Sequence, residues 1–223
     1  MRTRGWIRER HGGRRGQGVV EFAILVPAFM IVLFGMLEFG FAFAHHLTLE
    51  YATREGARVG AALGNGTELI LCEPNTLENV DDLVVAAVQR VITSPGSQVN
   101  PAQVREIHIY KATSSGAEGA SVNVWVPGSD GRRVDSVLLL YRPASQPWSA
   151  CDRQKFLTIS GSSTIEPDSI GVSLLYDYLP ITPLGTLLNT AGAGPLRISD
   201  RTVMALNPFQ DPLGGSRDRR SRV

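Results

Sequence analysis

Glu21 is the residue of this 223-residue chain whose position most strongly suggests chemistry. It stands in an apolar run, where a carboxylate is costly unless it reaches water or a partner. One interpretation places Glu21 among lipid headgroups with no special role. The other starts from Gly16, because a cut after Gly16 would make Gln17 the first residue of the product and Glu21 the fifth. Glycine suits an extended strand entering a protease, since it has no side chain to obstruct the site.

Other residues that catalyse reactions or bind metals are sparse. Two cysteines, Cys72 and Cys151, are too few for a disulfide-dense scaffold or a four-cysteine zinc site. The adjacent His45 and His46 point to different faces of a helix, and we expect them at a membrane interface. His108 falls on a predicted strand without Ser or Cys nearby in the sequence. No serine-hydrolase elbow, phosphate-binding loop or zinc-protease motif occurs, so we predict no enzymatic activity, no cofactor, no metal site and no small-molecule substrate.

The element that carries Glu21 is predicted to be a transmembrane helix. Residues 1–15 hold six arginines against one glutamate, and Glu21 and Glu38 are the only charges among residues 19–44. As a helix, residues 19–44 would be about 39 Å long, against a hydrocarbon core of about 30 Å. Positive charge before the span predicts a cytoplasmic amino terminus and an outer location for the chain beyond about His45.

Two alternatives compete with a retained anchor. The run Ala42-Phe43-Ala44 resembles the cleavage site of a secretory signal peptide, but the apolar region far exceeds the usual 7–15 residues of such a signal and contains Glu38. A buried helix of a soluble core is the second alternative. The flanking arginines and the length of the apolar run make it the weaker one.

One short motif surrounds each of the two glutamates, and a third follows the span. They are Gly16-Gln17-Gly18-Val19-Val20-Glu21-Phe22-Ala23, Leu37-Glu38-Phe39-Gly40 and Arg54-Glu55-Gly56-Ala57-Arg58. Together they closely resemble the TadE-like family of tight-adherence pilus-assembly proteins over residues 14–62. Each motif alone is weakly specific, and the combination carries the resemblance.

The resemblance implies a single-pass minor pilin or pseudopilin of the bacterial inner membrane. Gly16, Gln17, Glu21 and Phe22 would form a prepilin-peptidase-like cleavage motif. The implied partners are the lipid bilayer, the peptidase, other pilins or pseudopilins and the inner-membrane assembly platform. In filaments of such proteins, the glutamate pairs with the new terminal amine of a neighbouring subunit. Such a pair attracts more strongly in a low-dielectric helix bundle than in water.

A stripe of small residues follows the span, on a helix predicted to continue to about Leu63. The stripe repeats every four residues and consists of Ala52, Gly56, Gly60 and Gly64. Small residues let another helix or backbone approach closely. Because an interior glycine costs a helix about 1 kcal/mol relative to alanine, the glycines need packing to offset them. The partner is either a second subunit or the chain's own outer domain, and the sequence leaves both open.

The rest of the sequence predicts an α+β fold with a small antiparallel sheet. We expect a helix over 76–92, capped by Asn75 or Thr76, and a short helix over 181–188. Strands are predicted at 104–110, 121–127, 171–179 and 196–206, and either a strand or a short helix at 134–141. The predicted organisation is a basic leader (1–16), the transmembrane helix with its extension (17–63), an extracytoplasmic α+β domain (64–210) and a basic disordered tail (211–223). Cys72 and Cys151 both fall in this domain and can pair if that side is oxidising, and two free buried thiols are the alternative.

The first functional hypothesis is a TadE-like protein that takes part in tight-adherence pilus assembly or secretion. A membrane-tethered binding module that uses the helix only as an anchor is the alternative, and a tethered enzyme is a third. The net charge of +1 argues against nucleic acid as a partner.

Overall fold

A 47-residue helix, α1, runs from Gln17 to Leu63 in the computed structural model, which describes residues 16–66, 72, 79–134, 137–155, 158–160 and 163–206. The predicted helix and its continuation are therefore one element. Gly64 follows with φ of 58°, a left-handed conformation that glycine adopts readily and that ends helices. The predicted leader, apart from Gly16, and the predicted tail at 211–223 lie outside the described residues.

The described residues form two compact units. The first unit contains residues 16–41 and the segment Leu179–Gly194, and the second contains residues 42–178 and 195–206. In the first unit α1 is apolar and exposed, since no residue of its most apolar 18-residue window is buried. A helix in a soluble core would cover these side chains. Its length and composition make α1 a candidate membrane span.

The second helix, α2 (Val80–Ile92), belongs to the second unit and starts later than predicted. Asn79 has an extended backbone, with φ −74° and ψ 169°, so a helix cannot run through it from Thr76. The Asn79 side chain caps α2 by accepting a hydrogen bond from the backbone N–H of Asp82 at 2.9 Å. The predicted caps lie outside the described residues, and the carboxyl end at Ile92 is as predicted.

Five antiparallel strands form the main sheet of the second unit. In chain order the strands are β1 (Val104–Ala112), β2 (Glu118–Pro127), β3 (Arg133–Val134), β4 (Val137–Leu138), β5 (Tyr141–Ser145), β6 (Thr158–Ser160), β7 (Ser163–Ile165), β8 (Ser169–Tyr178) and β9 (Leu196–Ala205). The main sheet has the spatial order β5-β2-β1-β8-β9, and two small hairpins pair β3 with β4 and β6 with β7. The central strand is β1, whose Ile107 lies opposite Trp125 of β2 and Leu174 of β8.

The predicted element at 134–141 consists of short strands joined to an irregular connection. Gln89 of α2 fixes this region, because its side-chain amide donates to the carbonyl of Leu138 at 3.0 Å and its carbonyl oxygen accepts from the N–H of Leu140 at 2.8 Å. Strand β5 extends beyond the predicted element, from Tyr141 to Ser145, and contains Pro143. Proline lacks a backbone donor, which suits β5 at the edge of the sheet.

One face of the main sheet packs against α2 and the carboxy-terminal part of α1. Fully buried side chains come from all three elements: Leu49, Val84, Val88, Ile107, Ile109, Ile170, Val172 and Leu174. The predicted α+β class, a long apolar helix followed by a domain with an antiparallel sheet, is confirmed. A last short helix, α3 (Pro183–Leu188), lies in the connection from β8 to β9 and belongs to the first unit.

Candidate functional site

The amino-terminal end of α1 presents the predicted cleavage motif. Gly16 is exposed, with no heavy atom within 4 Å of the position of an added Cβ. Gln17 is the first helical residue, and its side-chain amide donates to the Glu21 carboxylate at 3.0 Å. Positions 17 and 21 therefore share one face of the helix, one turn apart. Phe22 is 69% exposed, so the motif stands uncovered by other described parts of the chain.

The motif at 54–58 is divided between the surface and the core. Gly56 and Ala57 are buried, whereas the charged side chains form pairs along the helix surface. Arg54 pairs with Glu50, and Arg58 with Glu55 at 2.6 Å. The hydrogen bond from Arg58 is the main cause that holds the pKa of the Glu55 carboxyl below its ordinary value. Exposed pairs of this kind stabilise a protein by at most about 1 kcal/mol.

The stripe of small residues packs against the chain's own domain. Ala52 is fully buried, and Gly56 and Gly60 are buried with it. A Cβ added to Gly56 would lie 2.7 Å from Val88 of α2, and one added to Gly60 would lie 2.6 Å from Ile170 of β8. These separations are shorter than a carbon–carbon contact allows.

Gly64 completes the stripe at the end of α1. A Cβ there would meet the aliphatic chain of Lys155 at 2.2 Å. The Lys155 ammonium donates to the carbonyl of Gly66 at 3.1 Å, and burial lowers its pKa. The four stripe residues therefore let the sheet, α2 and the Lys155 segment approach the helix closely.

Polar groups of α1 also bond to the sheet, which the sequence did not indicate. Thr53 is fully buried, and its hydroxyl donates to the Asp200 carboxylate at 2.5 Å and lies 3.0 Å from the Thr202 hydroxyl. His45 is 3% exposed and packs against the sheet. Its ring lies 5.7 Å from that of Tyr176 and 5.0 Å from that of Tyr178. No sequence signal pairs residues so far apart along the chain.

Cys72 and Cys151 form a disulfide that closes a loop across 79 residues. Two residues after Cys151, Arg153 is buried and donates to the Asp81 carboxylate at 2.5 Å. Its guanidinium also lies 4.4 Å from the centroid of the Trp148 ring. Asn123 of β2 donates to the second Asp81 oxygen at 2.8 Å and to the carbonyl of Trp148 at 2.7 Å. This network ties α2 and β2 to the 148–153 segment.

The face of the sheet opposite the helices carries a polar cluster around His108. Its Nδ1 lies 3.0 Å from Glu118 and its Nε2 lies 2.9 Å from Glu106. The hydroxyl of Ser173 donates to the same Glu118 oxygen at 2.6 Å. Partial burial favours the neutral Glu118 carboxyl, but the hydrogen bonds from Ser173 and His108 outweigh it and hold its pKa below the ordinary value. A groove of about 670 Å³ runs along this cluster toward Arg201.

These contacts determine which hydrogen bonds His108 and Ser173 can make. Both imidazole nitrogens face carboxylates, and both can donate at once only when the ring is protonated. The Ser173 hydroxyl proton is directed at a carboxylate rather than at the histidine, so the serine lacks the His partner that activates a nucleophile. The cluster therefore joins β1, β2 and β8 through hydrogen bonds to carboxylates.

Residues 16–58 match the family model described as TadE-like protein. The match confirms the resemblance inferred from the motifs, and it begins at Gly16 and ends at Arg58. It covers the apolar half of α1, the first two stripe residues and the whole 54–58 motif. No curated protein and no solved structure matches the chain.

Proposed function

We propose that this protein is a membrane-anchored minor pilin or pseudopilin that takes part in assembling tight-adherence pili or a related secretion apparatus. The observation that carries the proposal is the TadE-like match over residues 16–58, which coincides with a helix that begins at Gln17. In this proposal α1 anchors the chain in the bacterial inner membrane. The arginine-rich leader stays in the cytoplasm and the second unit faces outward. We assign the protein no catalytic role, because the His108 imidazole and the Ser173 hydroxyl are both held by carboxylates.

The geometry at the start of α1 supports the proposal that the chain is processed. The bond between Gly16 and Gln17 lies at the exposed start of the helix, where the Gly16 carbonyl accepts a hydrogen bond from the Val20 N–H at 3.2 Å. A prepilin peptidase would have to open only this first turn to reach it. Cleavage leaves an ammonium group on Gln17, one helical turn and about 6 Å of rise from the Glu21 carboxylate. A neighbouring subunit that is offset by about this rise places its ammonium group beside Glu21. Opposite charges in the low-dielectric centre of a helical filament attract strongly.

Sequencing the mature amino terminus tests the proposal. In cells that have the peptidase, we expect a product that begins at Gln17. Gly16→Leu should abolish it, and Gly18→Leu is the matched control, because an added side chain meets no neighbour at either glycine. A chain that still begins at Met1 in cells that process other prepilins would contradict the processing step.

Glu21→Ala tests the ion pair separately. We expect normal or improved membrane insertion, because a carboxylate leaves the apolar run, but reduced piliation. Glu21→Asp keeps the charge and should retain more piliation than the alanine variant. Normal piliation with Glu21→Ala would refute the role assigned to this carboxylate.

A membrane-tethered binding module is the second candidate, which the groove beside His108 and Arg201 favours. The two candidates differ in their response to a block in processing. Suppose that the Gly16→Leu chain leaves piliation unchanged, while an outer-face change such as Arg201→Glu removes ligand binding by the second unit. The binding module is then the better description.

A further inference from the structure

The connection between β8 and β9 is much longer than its two strands need. These strands pair along their whole length, and the last pair joins Tyr178 to Leu196. Antiparallel strands in this register can be joined by a turn of two residues. Here the chain inserts residues 179–195 instead, and Leu179–Gly194 belongs to the first unit rather than to the sheet. Connections longer than about 12–15 residues are uncommon in compact domains.

The inserted segment is uncharged and exposes large apolar side chains. No Asp, Glu, Lys, Arg or His occurs among residues 179–195. The exposed fractions are 42% for Leu179, 59% for Ile181 and 64% for Leu187, which lies in α3. A water-facing loop is normally polar, whereas an exposed apolar surface without charges suits contact with another apolar phase.

Glu38 fixes this segment to α1 within the first unit. Its two carboxylate oxygens accept hydrogen bonds from the backbone N–H groups of Ile181, at 3.1 Å, and Thr182, at 2.9 Å. A Cβ added to Gly185 would lie 2.7 Å from a Glu38 oxygen, so the glycine permits the close approach. The two backbone donors partly replace the water that a carboxylate at the edge of an apolar run would otherwise need.

The position of Glu38 along α1 matches the thickness of a membrane. Sixteen uncharged residues separate it from Glu21, and the two carboxylates lie about 25 Å apart along the helix axis. With Glu21 near one boundary of a hydrocarbon layer of about 30 Å, Glu38 lies near the other. The apolar surface of the inserted segment is thus attached to α1 at the depth of the second headgroup layer.

We propose that residues 179–194 form an interfacial membrane element, held by Glu38, whose apolar side chains enter the outer leaflet of the bilayer. The lipid surface is the occupant because the segment continues the apolar surface of α1 and carries no charge to bind a polar partner. In this proposal Ile181 and Leu187 lie at the acyl boundary, and α3 lies in the interface. The inference rests on α1 spanning the membrane, which is part of the proposed function.

Depth-dependent quenching tests the proposal on the full chain in vesicles of phosphatidylethanolamine and phosphatidylglycerol. Leu187→Cys is labelled with an environment-sensitive fluorophore while the native cysteines remain in their disulfide. Leu138→Cys, at another exposed leucine, is the matched control. We expect lipids with a nitroxide at the headgroup to quench the label at 187 at least twofold more than the label at 138. Equal or weaker quenching at 187 would overturn the proposal.

A second copy of the chain is the competing occupant. In that case lipid nitroxides quench the label at 187 weakly, and its emission changes with the ratio of protein to lipid. That result would also overturn the lipid assignment.

The role of Glu38 is tested in the same vesicles. Glu38→Ala should reduce quenching at 187 to the level at 138, whereas Glu21→Ala, the same change at the other carboxylate of the apolar run, should leave it unchanged. Unchanged quenching with Glu38→Ala would refute the docking role. Resistance to carbonate extraction reports anchoring independently. A chain that stays anchored but shows no quenching at 187 contradicts this inference alone. Loss of anchoring contradicts the proposed function.

Discussion

Gly56→Ala is expected to destabilise the protein, although alanine is the better helix former. The added methyl group would lie 2.7 Å from Cγ2 of Val88 and 3.4 Å from Cγ1 of Val172, both fully buried. Val88 lies within α2, where a β-branched side chain has one strongly preferred rotamer, so its methyl group cannot rotate away. The helix gains about 1 kcal/mol from the substitution, and overpacking costs about 1–3 kcal/mol. We therefore expect a net loss of about 1 kcal/mol.

Urea unfolding of the full chain in detergent micelles measures this change through tryptophan fluorescence, since Trp125 and Trp148 are buried in the second unit. Gly60→Ala is the matched comparison. Its methyl group would lie 2.6 Å from Cδ1 of Ile170, which is the end of a flexible side chain, and 3.2 Å from Cγ2 of Val84, where a shift of a few tenths of an ångström is enough. Because that atom can move, we expect a smaller loss than at Gly56.

A double-mutant cycle with Val88→Ala isolates the contact. Val88→Ala removes the methyl group that the new Cβ meets, so the Gly56→Ala change should cost less in that background. We expect a favourable coupling of about 1 kcal/mol, within the range measured for residues in contact. Gly56→Ala that stabilises the protein by about 1 kcal/mol, with no coupling to Val88, would refute the packing argument and leave helix propensity as the only effect.

Two further predictions concern the second unit. Replacing Cys72 and Cys151 together by serine should lower the free energy of unfolding by about 4 kcal/mol in the chain-entropy model for so long a loop. Non-reducing and reducing gels check the bond itself, and two titratable thiols in the native protein would contradict it. Because the Glu118 pKa is lowered on folding, its carboxylate stabilises the protein above its ordinary pKa of about 4.3, and that stabilisation is lost as the pH falls through the lower folded value. Glu118→Gln should therefore destabilise the protein at pH 6 and much less at pH 3 in urea unfolding. An equal effect at both pH values would show that the charge of Glu118 does not contribute to the free energy of unfolding.

The sequence predicted the elements whose signals are local. The apolar composition of residues 19–44 and the glycines after Leu63 predicted α1 and its end, and alternation of polar and apolar residues predicted β2. The start of α2 was missed, because the Asn79 cap is recognised only through its hydrogen bond from the backbone N–H of Asp82. The contact of Thr53 with Asp200 joins residues 147 positions apart and has no local signal.

The stripe of small residues shows why the sequence left its partner open. Small side chains at every fourth position permit close approach equally by a second subunit or by the chain's own sheet. The choice depends on Val88 and Ile170, whose positions opposite the stripe follow only from the fold. Since these side chains fill the space above Gly56 and Gly60, a second subunit cannot pack there while the domain is folded as described. In the proposed assembly, a subunit that packs against α1 would therefore use another surface of this helix, either its exposed apolar half or the side that carries Arg54 and Arg58.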